Sequence, residues 1–445
     1  MSCSGISSLD VAQRLGHSIA NSIGAEALAE LQLSYAAQLL PRFNDNPLIR
    51  MRQHILLYWD PSYFKSTLID EFAKTIPASI TTVNISSMTP ETLFGSISDD
   101  KQNIVKPVLA NARFAKIDEL LSFLGSSNTM KDIVNTLNTA MEGKKVTRHL
   151  LKLGQLDFDQ TKIQQLKKEG VEYDPYNAQL SHQPDITIWA ASRPMDNRTY
   201  TYLRTAGHLN RFHVIQHEIS DEEAERYFTK HFHPDMRLQE DLKALNQRLS
   251  SVVVKGLSMP DNYVLSQTLS PLKEIVKDET ADEKRRLAQI IDIRTQGDII
   301  RELVAHAFLR TATENDFRNI EKLEYTQDDV EFILKNPRHF VECKINPLFT
   351  DEFTERKQRK KRPRDSVKEL VLQFLSDKEL KRKKEVDNYI NGRISVGPAT
   401  ISHALEDMLS GHLICPPKYG FYKLKENCNL CKYQSTCAKK DNSEV

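Results

Sequence analysis

The chain has 445 residues and a mass of 51.1 kDa, enough for about three domains of ~150 residues. Hydrophobic residues make up 40% and charged residues 27%, which excludes a compositionally disordered chain. No apolar run approaches the ~18 residues of a membrane span, and the opening MSCSGISSLD lacks a basic-then-apolar leader, so neither a span nor a secretory address is expected. Net charge is +1, yet residues 356–384 hold 13 Lys/Arg against 4 Asp/Glu. Such a block is the footprint of a nucleic-acid or other polyanion contact, or else a solvated linker.

Residues 1–45 read as helix, rich in Ala and Leu and ended by Pro41. HILLYW (54–59) reads as a strand. The stretch after Lys65 reads as a helix with Leu68, Phe72 and Ile76 on one face. Residues 79–85, 114–118, 185–192 and 211–219 read as four more strands, mostly separated by helices. That alternation predicts a parallel sheet covered on both faces over 46–220. Residues 221–345 read as helical only, with Ile300, Leu303, Val304, Ala307 and Phe308 at the spacing of one helix face. They are expected to form a lid beside the sheet domain.

A basic linker spans 346–365. Beyond it Val367, Leu370, Val371, Phe374 and Leu375 form a helical stripe, and a second short helix closes at Gly392. Pro398 opens a third helix, with Ile401, Ala404, Leu405, Met408 and Leu409 facing inward. ICPPKYGFYKL then reads as a β-hairpin. Three helices and a hairpin in that order predict a winged helix over 366–425, followed by a Cys-rich tail at 426–445.

A strand, a loop and a Lys-Ser pair opening a helix is the arrangement of a phosphate loop. Here it is Trp59-Asp60-Pro61-Ser62-Tyr63-Phe64-Lys65-Ser66, with Thr67 next. The usual glycines six residues and one residue before the lysine are replaced by Trp59 and Phe64, although glycine eases the approach of backbone amides to phosphate. Asp118-Glu119 ends the third strand. An aspartate there can hold Mg²⁺ and the next carboxylate can orient a water. Arg211 precedes the fifth strand and can stabilise a transferred phosphoryl group across a subunit edge.

Four of the six cysteines fall at Cys415-x12-Cys428-x2-Cys431-x5-Cys437. In a chain without a secretion signal this spacing points to a metal centre, either tetrahedral Zn²⁺ or a [4Fe–4S] cluster. CNLCKYQSTC resembles the Cys-x2-Cys-x5-Cys segment of iron–sulfur nucleases of the RecB type. Cys3 and Cys343 have no evident partner.

Taken in order, these pieces resemble the AAA+ motor of the minichromosome maintenance (MCM) helicases over residues 45–425. WDPSYFKS keeps Asp60, Pro61, Lys65 and Ser66 of that family's phosphate loop. AKIDEL resembles its Mg²⁺ segment, and NTAMEGKKVTRHLLKLG the approach to its pore hairpin. WAASRP stands where the family has its first sensor, with Ser192 or Arg193 in place of the asparagine. LNRFH resembles the arginine finger, and IRTQGDIIRELVAHAFLR the helix opened by the second sensor arginine, Arg294, seven residues before Arg301. The resemblance starts without the family's oligonucleotide-binding and zinc domain.

The resemblance implies an α/β AAA+ P-loop domain, a parallel sheet between helices, with a helical lid, a C-terminal winged helix and a cysteine-rich metal-binding tail. It further implies ATP and Mg²⁺ as ligands, DNA as partner, and a homo-oligomeric, hexameric ring. Lys65 would neutralise β/γ-phosphate oxygens, Ser66 and Asp118 would hold Mg²⁺, and Glu119 would orient water. Arg211 and Arg294 would reach a neighbour's site. The candidate pore segments are 86–112 and 143–185, with Lys152 as the hairpin lysine and Arg148 as the other candidate. Further DNA contacts are expected from Lys360, Lys361 and Arg362 of the linker, Thr400 and His403 of helix 398–410, and Lys418 of the wing. The expected location is cytoplasmic, at the nucleoid.

Three functions follow from these features. One is an ATP-driven helicase or translocase. Another is a catalytically degenerate DNA-binding or regulatory factor, which Trp59 and Phe64 favour. The third is a redox-sensitive regulator switched by the cysteine centre.

Overall fold

A computed structural model of the chain describes residues 7–41, 49, 51–97, 104–125, 127–150, 160–217, 233–278, 293–314, 318–335, 337–348, 363–377, 379–391, 393, 398–410, 413–415 and 421–424. The chain divides into two compact units, Met1–Thr354 and Glu355–Val445. The division falls inside the basic stretch 346–365.

The first unit is built on a five-stranded parallel sheet. Strands β1 (His54–Tyr58) and β2 (Thr82–Asn84) flank the helix α2 (Lys65–Ala73) in sequence. Antiparallel β3 (Ser96–Ile97) and β4 (Ile104–Val105) follow the short helix α3 (Pro90–Phe94). The sheet resumes at β5 (Phe114–Ile117). Beyond α4 (Leu120–Leu124) and α5 (Ser127–Met141), the 143–185 connection forms its own antiparallel sheet. Its strands are β6 (Val146–His149), β7 (Val171–Asp174) and β8 (Gln179–His182) in order β6-β8-β7, with helix α6 (Gln160–Lys168) inserted. The main sheet then gains β9 (Thr187–Ser192) and, after α7 (Asn197–Thr205), β10 (Phe212–Gln216).

The main sheet has the order β10-β1-β9-β5-β2, with every pairing parallel. Every residue of β1 and β9 is buried. That is why HILLY and TIWAAS are near-continuous apolar runs rather than alternating ones. The chain leaves β1 for the far edge at β2, returns through β5 and β9, and then steps to the other side of β1 for β10. The crevice at the carboxyl end of β1 is thus the topological switch point of the sheet, where α/β folds bind ligands.

One face of the sheet is covered by α1 (Ser8–Leu39), and the expected helix over 1–45 is interrupted. Ala20 and Asn21 leave helical geometry, and Asn21 takes φ +52°, the left-handed region that Asn tolerates. The second half folds back on the first. Gly16 and Gly24 meet at the crossing, where a Cβ on either would collide with the other's carbonyl oxygen. Behind this helix pair lies an aromatic layer. Tyr35 stacks on Phe114 at 5.7 Å, and Trp189 lies 4.5 Å from Phe114 and 5.3 Å from Phe72. The N-terminal helix is therefore part of the core of the first unit. The other face is covered by a second apolar cluster that includes Leu124, Leu137 and Leu203.

The region expected to be purely helical over 221–345 has helices 236–251, 262–278, 293–314 and 327–334. It also carries β11 (Val253–Val254) paired parallel with β12 (Asn319–Ile320), two strands too short for a periodic pattern. Pro337–Phe340 runs directly into one π-helical turn, Val341–Ile345. Among the described residues no helix is long and apolar enough to cross a membrane.

The second unit has helices Pro363–Phe374, Lys383–Asn391 and Pro398–Ser410, and an antiparallel sheet β13-β15-β14. Its strands are β13 (Lys381–Arg382), β14 (Ile414–Cys415) and β15 (Phe421–Leu424). Val367, Val371, Val386, Ile390, Ile401 and Met408 form its core.

Gly16→Ala should destabilise the first unit by about 1–3 kcal/mol, because the added methyl must displace backbone rather than a flexible side chain. Denaturant unfolding measures this. An unchanged midpoint would mean that the two helix halves do not cross at Gly16.

Candidate functional site

The site begins where β1 ends. Within six residues the chain must leave a buried strand, turn, and start α2. The turn is made with Ser62 at φ +73° and Phe64 at φ +58°. Phe64 is the N-cap of α2 in the left-handed conformation, with no side-chain cap. A left-handed non-glycine residue costs ~1–2 kcal/mol, so the loop retains its shape against local preference. Strain of this sort concentrates at ligand sites.

Two features hold the turn. The fully buried Trp59 donates its indole N–H to the Tyr63 carbonyl at 2.8 Å. The Phe64 ring is half-buried against the core beside α1, so the ring replacing the second glycine packs sideways into apolar surroundings. Lys65 is the first residue of α2 and is only 8% exposed. Its ammonium donates to the carbonyls of Trp59 at 2.8 Å and Asp60 at 2.5 Å, and it lies 5.6 Å from the Trp59 ring centroid. Burial pulls the Lys65 pKa down to about 8, opposed by the Glu119 and Asp60 carboxylates. Ser66 is half-buried on the same first turn, while Asp60, Pro61 and Thr67 are exposed.

The neighbouring strands bring the acidic groups to this crevice. Asp118 follows β5; its amide donates to Ser86 Oγ at 2.8 Å, and its carboxylate accepts from Asn84 Nδ2 at 2.9 Å. Glu119 is the N-cap of α4, accepting from the Leu121 amide at 3.3 Å. Ser192, at the end of β9, places its hydroxyl 3.4 Å from Glu119 Oε1. Lys65, Asp118, Glu119 and Ser192 thus gather at the carboxyl ends of three adjacent strands. Arg193 is exposed. Lys116 pairs with Asp70, tying β5 to α2 beneath the crevice.

A half-buried hydroxyl and a carboxylate beside a buried ammonium suit a hydrated Mg²⁺ and the phosphates it accompanies. The donor set fits that ligand. It does not suit a soft metal, because no thiol and no histidine of the described residues stands among these groups.

Arg211 stands apart. It precedes β10, whose first residue pairs with His54 at the start of β1, so it lies at the opposite end of the sheet from Lys65. Its guanidinium bonds to the Gly207 carbonyl and pairs with Glu142. Arg148, on β6, donates to the Pro90 carbonyl at 2.7 Å and pairs with Glu91 at 3.0 Å. It therefore ties the inserted sheet to α3. In the second unit the exposed His403 faces Glu406 at 3.3 Å, and the buried Cys415 sits on β14. Arg294 and Thr400 are placed by their helices alone. Lys152, Lys360, Lys361, Arg362, Lys418, Cys428, Cys431 and Cys437 lie outside the described residues.

A cavity of about 570 Å³ opens at the amino ends of the strands, lined by Arg52, Arg113 and Asp185 among others. Arg52 and Arg113 both pair with Asp185 there. It lies away from the gathered Lys, Asp and Glu groups. Compared with known proteins, the chain matches no protein-family model and no curated protein.

Two outcomes test this geometry. Phe64→Gly should leave the chain about 1 kcal/mol more stable than Phe64→Ala, reversing the usual order, because only glycine accepts the left-handed turn without strain. Denaturant midpoints decide it, and alanine at or above glycine would contradict the turn. A lysine pKa drawn down to about 8 from 10.5 penalises the charged form in the fold. Between those values the unfolded chain holds the extra proton, so stability rises with pH across the window. Lys65→Met should remove that rise.

Proposed function

We propose that the crevice binds ATP with Mg²⁺ and that the chain is an MCM-like AAA+ ATPase working on DNA as a helicase or translocase. The observation that supports this most is the turn at Ser62–Phe64. It keeps a phosphate-loop path without its glycines and sets Lys65 at the head of a helix beside Asp118 and Glu119. In this reading Lys65 leaves the Trp59 and Asp60 carbonyls for the β/γ-phosphate oxygens. The first-turn amides of α2 face the same anion. Glu119, with Ser192 against it, orients the attacking water. Ser66 and Asp118 would hold Mg²⁺, which supplies charge neutralisation on the phosphates.

Arg211 sits at the amino ends of the strands, so it serves no phosphate in its own crevice. That is the placement a residue acting on a neighbour's nucleotide requires, and it supports a ring, taken here as a hexamer. Arg294 is assigned the same direction on the resemblance alone. The second unit's three helices and three short antiparallel strands support a winged helix, with helix Pro398–Ser410 toward DNA. The helix carries no Arg or Lys, and its exposed His403 stands beside Glu406, which argues against strong base-specific readout. The basic linker would add salt-sensitive phosphate binding. Cys415, with Cys428, Cys431 and Cys437, would hold Zn²⁺ or a [4Fe–4S] cluster.

One observation favours the second reading, a factor that binds DNA without turnover. Lys65 already satisfies two loop carbonyls, and Trp59 braces the loop in that state.

ATP hydrolysis by the full chain, with and without single-stranded DNA, separates the two. A working motor gives DNA-stimulated turnover that falls at least ~100-fold in Lys65→Ala, as expected for loss of a principal phosphate contact. No turnover with DNA binding intact would establish the non-hydrolysing factor.

A further inference from the structure

Away from the crevice, four elements of the first unit converge on a buried group of histidines, carboxylates and one thiol. His213 comes from β10, Glu30 from α1, Glu302 from the 293–314 helix, and His339 with Cys343 from the 337–345 segment. The last two stand four residues apart across the change from α- to π-helical geometry, a distortion that recurs at functional sites. His213 is fully buried, and neither ring nitrogen makes a hydrogen bond. A buried polar group left in that state is costly.

Two three-residue groups that share His213 have ligand spacing. His213, His339 and Cys343 offer ligand atoms within 4.8 Å of one another, and so do Glu30, His213 and Glu302. His339 Nε2 is 3.3 Å from Glu30 Oε1 and 3.6 Å from Cys343 Sγ, and His213 Nε2 is 3.7 Å from Glu30 Oε2. Tetrahedral Zn²⁺, with bonds of ~2.0–2.3 Å, separates its ligands by roughly 3.3–3.6 Å.

The outer contacts fit as well. Each histidine has its Nδ1 against a further carboxylate: His213 faces Glu302 at 3.3 Å and His339 faces Glu26 at 3.1 Å. At His339 that is the carboxylate–histidine–metal arrangement, which leaves its Nε2 for the ion; His213 Nδ1 lies near Glu302 without hydrogen-bond geometry. Gln53 Nε2 lies 3.5 Å from Glu30 and 3.3 Å from Glu302. Glu26, Glu30, Glu302 and Asp298 bring four carboxylates, while Arg301 and Lys344 bring two cations, both paired with Asp298.

We propose that Glu30, His213, His339 and Cys343 bind one structural Zn²⁺, with Glu26 orienting the His339 imidazole. Four protein ligands leave no open position, so the ion is a staple. It fastens β10, the strand that follows Arg211, to the N-terminal helix pair and the helical region. This site is separate from the cysteine centre expected in the tail, and it does not depend on nucleotide binding.

The test uses the full chain carrying Cys428→Ser, Cys431→Ser and Cys437→Ser, which removes the tail's contribution. After loading with Zn²⁺ and dialysis, elemental analysis should find about one zinc per chain. Loading with Co²⁺ instead should give tetrahedral visible bands and a thiolate-to-cobalt charge-transfer band. A further Cys343→Ser change should abolish that charge-transfer band, and His213→Gln should release the zinc. If either variant fails to fold, the parent's zinc content and cobalt spectrum decide alone. A parent that retains no zinc and shows no charge-transfer band overturns the proposal. Full zinc retention in a folded Cys343→Ser, His213→Gln double variant overturns it too.

Discussion

The architecture of the first unit depends on one constraint: β1 is buried on both faces and paired on both edges, and the chain must turn from it into a helix within six residues. The buried strand fixes where Lys65 arrives. Parallel pairing with β9, and through it β5, fixes where Ser192, Asp118 and Glu119 arrive. The cost is a left-handed turn at Phe64, offset by the half-burial of its ring and by the Trp59 indole bonded back to the loop. Trp59 and Phe64 therefore support the loop, one through its indole hydrogen bond and the other through its half-buried ring.

Polar chemistry is distributed to both ends of the sheet. At the carboxyl ends a buried ammonium faces two half-buried carboxylates, an arrangement suited to an incoming polyanion with its cation. Toward the amino ends, Arg211 is held by Glu142 and Arg52 by Asp185. The elements that converge on His213 lie beside β10, so the strand that follows Arg211 is also braced by buried polar groups.

Much of this was legible in the sequence because it is local. Apolar runs marked all five strands of the main sheet to within a few residues, and the Lys65-Ser66 and Asp118-Glu119 pairs marked the strand ends that meet. What was not legible depends on long-range contact. The break at Ala20–Asn21 is masked by an Ala- and Leu-rich sequence that favours uninterrupted helix; Gly16 and Gly24 were its only trace. β11 and β12 are too short to show a period. The 143–185 connection read as a candidate pore segment with a hairpin lysine, and its strand boundaries were not legible, though VTRH, VEYD and QLSH pair into a sheet. Of the buried polar group only His339-x3-Cys343 is close in sequence; Glu30, His213 and Glu302 are dispersed along the chain, and the fold brings them together. The tail's cysteines present the opposite case, a spacing visible in sequence that lies mostly outside the described residues.

A structure of the chain with Mg²⁺ and a non-hydrolysable ATP analogue tests the proposal of a nucleotide site at the end of β1 most directly. Lys65 Nζ should be found on β/γ-phosphate oxygens, released from the Trp59 and Asp60 carbonyls, with Asp118 and Glu119 facing the metal and the γ-phosphate. Lys65 still bound to its own loop, with no nucleotide at the end of β1, would contradict it.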